Sequence, residues 1–575
     1  MKKMKKLLSL TVYTLLAAAL TACSSQPAGA SETESGNKST SAQVQSADYY
    51  NAEGYPICNE PLTLTVAVSD DTGLSQDSER LELEQYASKL GINLEIHAFG
   101  SEDYATQLTL MMANDEMYDL IVGSGYTTTQ VHEYGEEGYL LNLADYSGLM
   151  PNLNSIFEKY PAYKNLNTYA DGTIYGLVSI TDQTPTKVFI DKNWLANVGM
   201  EVPATVDELY NVLKAFKEQD ANGNGNPDDE IPMQYTFCRF FTDRLLMNAF
   251  GMTPNDMELP VDTDENGELR LTFMSENYKA YLQYLAKLYQ EGLIDQECFS
   301  VSEDIITQKY TDDLIGFGGE WAPFATTVSD IATDVDVAYA LVALTSDYSS
   351  QPIVSWPSNI SDSNSIMVSA DCQYPEAAVR FIDYLYTPEG AEGTIYGYEG
   401  ISFKMEDIPG LGQLPMLNVP DGYSQDEYRI KEVTLNKLTL CSPNFPENSP
   451  YQSQFSLLCK AAENYRAGEI DEQTYESLRR RFGYDLLIAE ASAEKNVRSV
   501  DSFPPLSYTE AEGKTRINVR TAITNYLADS KAQFIIGNLD FEQDWENYLQ
   551  ELNEMGAEEL LKVEQSAYAR YMADQ

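Results

Sequence analysis

Along residues 61–126 the hydrophobic period switches from two residues to about 3.6 and back, twice. Residues 62–68 (L-T-L-T-V-A-V) alternate apolar and polar side chains and lead into the polar turn Ser69-Asp70-Asp71-Thr72-Gly73. A helical stretch over 78–90 passes through Gly91 into a second alternating strand, 92–97. An amphipathic helix over 102–113 then precedes a short apolar strand, 119–122, which ends in Gly123-Ser124-Gly125-Tyr126. Strands separated by helices are joined by crossovers, and crossovers lay their helices on the faces of a parallel sheet. The pattern therefore predicts an α/β fold.

Of the 575 residues 89 are acidic and 37 basic, a formal charge of −52. Phosphates must be met by Lys and Arg, so this balance excludes nucleic-acid binding. It also offers no attraction to anionic lipid headgroups. Membrane contact has one source in the sequence. Residues 1–22 hold a basic cluster, M-K-K-M-K-K, then an apolar stretch and small residues, the layout of a secretory signal peptide. The ending Leu20-Thr21-Ala22-Cys23 resembles a bacterial lipobox. That implies acylation of Cys23 with chains of the palmitate type, and an extracytoplasmic protein lipid-anchored to the cell membrane. Residues 23–57 are then the lipidated cysteine and a tether. Over 24–50 the tether is Ser, Gly, Ala, Gln and Thr, too polar to offset its own ordering entropy. Six further cysteines (Cys58, Cys238, Cys298, Cys372, Cys441, Cys459) lie singly, without metal-ligand spacing, and read as mostly buried thiols.

Farther on, Thr205 and Glu208 form a capping box for a helix carrying Leu209, Val212, Leu213 and Phe216 on one face. Residues 277–291, 375–386 and 541–553 repeat that spacing, and Trp545 shares the apolar face of the last. The chain is expected to finish in two helices separated by Gly556.

Residues 188–220 (V-F-I-D-K-N-W-L-A-N-V-G-M-E-V-P-A-T-V-D-E-L-Y-N-V-L-K-A-F-K-E-Q-D) resemble the middle signature of bacterial extracellular solute-binding lipoproteins. These are the sugar-type (family 1) receptors of ABC importers, related to alginate-oligosaccharide binders. Y-A-D-G-T-I-Y-G-L at 169–177, L-Y-Q-E-G-L-I-D at 288–295, I-G-F-G-G-E-W at 315–321, F-I-D-Y-L-Y-T-P-E-G at 381–390 and F-I-I-G-N-L-D at 534–540 agree with it. The resemblance implies a two-lobed periplasmic-binding-protein-like fold of type II, with discontinuous lobes and a ligand cleft between them. Lobe one would be 58–182 plus 350–405. Lobe two would be 183–349 plus 406–575, with the C-terminal helices. The implied partners are an oligosaccharide, two permease subunits and their ATPase, and the chain is expected to be a monomer.

Residues 220–230 read D-A-N-G-N-G-N-P-D-D-E. Side-chain oxygens at Asp220, Asn222, Asn224 and Asp228, Gly225 at the sixth position and the Asn226 carbonyl at the seventh give EF-hand-type calcium spacing. The glutamate of position twelve is missing, and Ile231 stands there. By the family resemblance Asp229 closes the shell, with Glu230 as the alternative. Hard oxygen donors favour a structural Ca2+ that pins the exit of the preceding helix.

In a parallel α/β sheet ligands bind beyond the carboxyl ends of the strands. Asp70 and Tyr126 lie on two such loops. Glu320 and Trp321 follow the strand 314–317 and its glycine pair, where an indole face and a carboxylate would suit sugar C–H faces and hydroxyls. Trp356 is either a second stacking residue or hinge packing. Arg239 is either a partner for a polar or acidic ligand group or a surface ion pair. A secreted glycosidase is the rival reading, but carboxylate pairs are guaranteed among 89 acidic residues. No nucleophile elbow, Walker loop or H-E-x-x-H appears. A receptor for a peptide or other non-sugar solute is the second alternative, since one scaffold serves many ligands. The reading is thus a non-enzymatic, calcium-stabilised receptor that closes on an oligosaccharide by hinge motion about residues near 182 and 350.

Overall fold

A computed structural model describes residues 49–573 apart from 70–79, 115, 124, 170, 181–184, 236–239, 320–336, 359, 409–410, 421–427, 435–437, 441–453 and 495. The lipobox with Cys23, and the site candidates Asp70, Arg239, Glu320 and Trp321, lie outside the described residues, as do Cys238 and Cys441.

The first sheet has the strand order Ile92–Phe99, Leu62–Ser69, Leu120–Val122, Ile360–Val368, Leu177–Ile180. The first three strands are parallel, as the strand–helix alternation predicts. Ile360–Val368 is antiparallel to both of its neighbours, which makes the sheet mixed rather than parallel. That strand returns from the second sheet, so no crossover helix fixes its direction. Side-chain alternation feeds two cores from one sheet. Leu64, Val66, Val68, Leu120 and Val122 enter a core with helices Pro151–Lys159 and Pro375–Tyr384. Ala67, Ile121 and Met367 face the opposite core, under helices Ser101–Asn114 and Thr128–Glu136.

The second sheet places Val188–Asp191 between Phe317–Gly319 and Ala338–Ala340, antiparallel to both. The same alternation divides it. Val188 and Ile190 enter the largest core, while Phe189 faces a fourth core with helices Gln454–Ala467 and Glu472–Ser492. The largest core gathers helices Val206–Glu218, Phe241–Ala249 and Glu276–Gln290 with the C-terminal helices Glu510–Ile536, Trp545–Glu554 and Ala557–Ala573. Trp545 is buried there, and Gly556 separates the last two helices as expected. Ile353–Trp356 pairs in parallel with the distant Arg498–Asp501 and so ties the C-terminal third back to the centre of the chain.

Thr205 caps Val206–Glu218, its Oγ1 accepting from Glu208 N at 3.0 Å. The expected reciprocal half of the box is shifted by one residue. The Glu208 carboxylate accepts from Ala204 N at 2.8 Å, a donor that the extended Thr205 backbone leaves within reach. Cys58, Cys298 and Cys372 are buried free thiols, and Cys459 is free and half-buried.

One buried carboxylate joins the C-terminal helices to this core. Asp243 accepts from Tyr235 Oη at 2.6 Å, from Tyr281 Oη and from Lys531 Nζ at 2.9 Å. Burial, and then the adjacent carboxylate, holds both phenols protonated far above their usual range. Removing one partner of a buried pair strands the other charge. Asp243→Ala is expected to cost about 3–5 kcal/mol in urea unfolding, whereas Tyr281→Phe, which leaves the Lys531–Asp243 pair intact, should cost about 1 kcal/mol.

Candidate functional site

At the carboxyl end of Leu120–Val122 the chain turns through Gly123 and Gly125 into Thr127. Thr127 caps Thr128–Glu136. Its Oγ1 accepts from Gln130 N at 3.3 Å, and Gln130 Oε1 accepts from Thr127 N at 3.0 Å. Phe240 and the helix Phe241–Ala249 stand opposite. The segment 503–508 and the helix Glu510–Ile536 form a third wall, and together they enclose a cavity of about 460 Å³. The third wall reaches the first because residue 513 is glycine. A Cβ there would sit 2.6 Å from Thr129 Oγ1.

The cavity wall is strongly charged and mostly paired. Arg516 Nε bonds Glu564 Oε1 at 2.9 Å, and Tyr508 Oη donates to the other oxygen of Glu564 at 2.7 Å. Arg520 reaches Asp256 at 2.7 Å and Glu258 at 3.5 Å. Burial pushes the Asp256 carboxyl up, but the Arg520 guanidinium outweighs it and leaves the group below the usual carboxylate range. Arg244 differs from the other two arginines. It donates to Ser502 Oγ at 2.9 Å and to the Pro254 and Asn255 carbonyls at 3.4 Å. Burial alone pushes its guanidinium down to about 10.

A second, more open cavity of about 680 Å³ lies across the 505–508 segment from the first. Its wall includes Lys159, Lys164, Tyr169 and Arg570, together with Ile180 and Ile360, where the chain leaves and re-enters the first sheet.

Of the ligand-site residues singled out in the sequence, two are described. Tyr126 is buried between cavity-lining Gly125 and Thr127, and its hydroxyl donates to the Ala105 carbonyl at 2.9 Å, bracing the loop. Trp356 is half-buried, its indole N–H on Ser499 Oγ at 2.5 Å and its ring centroid 5.3 Å from that of Phe455. It lines neither cavity. Residues flanking the undescribed candidates can be placed. Phe240, after Arg239, lines the first cavity, and Gly319, before Glu320, packs against Phe241 and Thr242. Sequence reasoning missed Thr127, Arg244, Tyr508 and Arg516. Thr127-x-x-Gln130 is a readable capping box, and Arg244 with Asp243 before it is one of two charges in the otherwise mostly apolar stretch F-F-T-D-R-L-L-M-N-A-F.

The 220–230 loop follows directly on Val206–Glu218. Gly223 and Gly225 adopt φ of 74° and 90°, which lets the loop fold back on itself. Asp220 Oδ2 accepts from Gly225 N at 3.0 Å, Asn222 Oδ1 from Asn224 N at 3.0 Å and Asn224 Oδ1 from Asn226 N at 2.7 Å. Glu230 Oε1 accepts from Ala221 N at 2.9 Å, and the Asp229 carboxylate takes the amide of Asn224 at 2.9 Å. Asp228 is exposed. Asp220 Oδ1 and Glu230 Oε2 are buried without a hydrogen-bond partner, so two carboxylate oxygens are left for a cation. No cluster of three or more His, Cys, Asp or Glu poised for a metal occurs among the described residues. The loop fits a hard cation only with its asparagine and carbonyl oxygens included.

Residues 83–402 match the family described as bacterial extracellular solute-binding protein. Over 557 residues the chain is 25% identical to the fructooligosaccharide ABC transporter substrate-binding protein FusA of Streptococcus pneumoniae, covering 94% of this chain and 95% of that one. It is 24% identical to lipoprotein LipO of Bacillus subtilis, covering 84% and 86%. An EF-hand mutant of FusA in complex with fructo-nystose superposes with a TM-score of 0.71 at 21% identity, over 89% of this chain and all of that one. Alginate-binding protein AlgQ2, solved without calcium ion, superposes with a TM-score of 0.63 at 17% identity, over 89% and 98%. The α/β fold is therefore that of the periplasmic solute-binding proteins. Its members capture solutes and do not transform them, and this chain belongs to the bacterial extracellular solute-binding protein family.

Proposed function

We propose that the captured solute is an oligosaccharide, delivered from outside the membrane to the permease and ATPase of an ABC importer. The observation that carries this reading is the 460 Å³ cavity at the carboxyl end of a sheet strand, within the size of small-ligand sites. Its wall sets the Thr127, Thr128 and Thr129 hydroxyls and ion-paired side chains against the rings of Phe240 and Tyr508, a mixture suited to sugar hydroxyls and C–H faces. Near-full-length likeness to a fructooligosaccharide receptor supports it. The lobes run over 58–182 plus 350–405 and 183–349 plus 406–575, and closure bends the crossings near 182 and 350. Trp321, Glu320, Asp70 and Arg239 remain its proposed ligand contacts, Tyr126 holds the cavity rim and Trp356 packs the crossing. The receptor acts as a monomer, anchored through acylated Cys23.

In this reading the 220–230 loop holds a structural Ca2+ through Asp220, Asn222, Asn224, the Asn226 carbonyl and Glu230. The unpartnered oxygens of Asp220 and Glu230 support this choice, which prefers Glu230 to Asp229 and leaves Asp228 at the surface. The EF-hand and calcium named for FusA and AlgQ2 are consistent with it.

Two measurements check these statements. In a thermal-shift panel of oligosaccharides, peptides and polyamines, one glycan class should raise the Tm saturably and be recovered uncut. At 100 times its Kd the gain is about 2.7 kcal/mol. Shifts with peptides alone remove the sugar, and a cleaved glycan contradicts the receptor. Separately, a calcium chelator should lower the Tm, and Asp220→Ala with Glu230→Ala should lower it equally and abolish the chelator's effect. An unchanged Tm on chelation, with no calcium retained through desalting, removes the metal.

A further inference from the structure

Arg244 is 9% exposed and lines the 460 Å³ cavity, yet every hydrogen bond it makes goes to a neutral oxygen. Two of those bonds are long, and no carboxylate lies within ion-pair distance among the described residues. The other arginines of the same wall are matched. Arg516 is held by Glu564, and Arg520 by Asp256 and Glu258. Asp256 is further occupied by the backbone N–H groups of Glu258 and Leu259, at 2.9 and 3.1 Å. Among the described residues the wall therefore carries one buried cation without a counter-ion of its own, in a chain whose net charge is −52. Burying an unpaired charge costs several kcal/mol, and Arg244 bears that cost on the cavity side of its helix. The opposite wall adds to the same sign. Thr128–Glu136 presents its N-terminus there, with Thr127, Thr128 and Thr129 in the lining. A helix N-terminus carries roughly half a positive charge.

On the reading that the solute is an oligosaccharide, we propose that the cavity is built for an acidic one, and that the Arg244 guanidinium receives the carboxylate of a uronic acid residue. One uncompensated guanidinium balances one negative charge, which suits a carboxylate better than a phosphate dianion. The planar fork of arginine also fits two carboxylate oxygens at once. The hydroxyls of Thr127–Thr129 and the Phe240 ring then serve the neutral parts of the same sugar.

The test is isothermal titration of the full protein with trigalacturonate and oligomannuronate, with the methyl esters of both, and with neutral kestose. The acids should bind about 100-fold tighter than their esters, the difference expected for one charge-assisted pair in a buried site. Arg244→Gln should close the gap, bringing the acids down to the level of the esters. Arg244→Lys, which keeps the charge, should recover part of the gap. If Arg244→Gln does not fold, the wild-type contrast decides: acid binding should weaken with salt and ester binding should not. Equal affinity for acid and ester, or binding of kestose alone, overturns the assignment of Arg244 while leaving the oligosaccharide receptor standing. No binding of any glycan overturns both.

Discussion

The buried Asp243 carboxylate holds the working parts of the protein in register. It draws Lys531 of the long C-terminal helix, Tyr281 of Glu276–Gln290 and Tyr235 of the preceding segment onto one atom, Oδ1. The next residue, Arg244, lines the cavity. One turn of helix thus carries an anion satisfied by the core and a cation that lines the cavity. Fixing Lys531 also fixes the helix that carries Gly513, Arg516 and Arg520, and so two of the three cavity walls depend on one cluster. Such a cluster contributes less to net stability than to uniqueness of arrangement, because desolvation offsets most of its Coulombic gain.

What was legible in the sequence follows from locality. The strands over 62–69 and 92–99, the helix from Thr205, the buried face around Trp545 and the break at Gly556 are decided by periods and caps a few residues long. The reversed strand Ile360–Val368 was not, because I-S-D-S-N-S-I-M-V has no feature that encodes direction. Pairing of Ile353–Trp356 with Arg498–Asp501 joins segments 145 residues apart and has no local sign at all. The candidate site shows the same divide. Sequence reasoning found loops at strand ends and aromatic residues suited to sugars. The ion pairs Arg516–Glu564 and Arg520–Asp256 bring together residues 48 and 264 positions apart, and only the fold makes them neighbours.

The 220–230 loop lies between these extremes. Its alternating oxygens and two glycines are readable as spacing, and they predicted Asp220, Asn222, Asn224 and Asn226 in one turn of chain. Which acid turns inward depends on side-chain direction. Asp229 turns its carboxylate to the amides of Asn222 and Asn224, while Glu230 folds inward and leaves one oxygen buried without a donor. Adjacent residues in an irregular turn diverge by more than a spacing rule can resolve.

In the proposed receptor the solute is held where the first sheet, the helix Phe241–Ala249 and the helix Glu510–Ile536 meet. Hydrogen exchange on the full chain, with and without the tightest-binding oligosaccharide, tests it most directly. Slowed exchange at residues 125–130, 240–244 and 503–516 together is the result this account predicts. Slowing confined to residues 159–169 and 570–571, around the second cavity, or to one wall of the first, would contradict it.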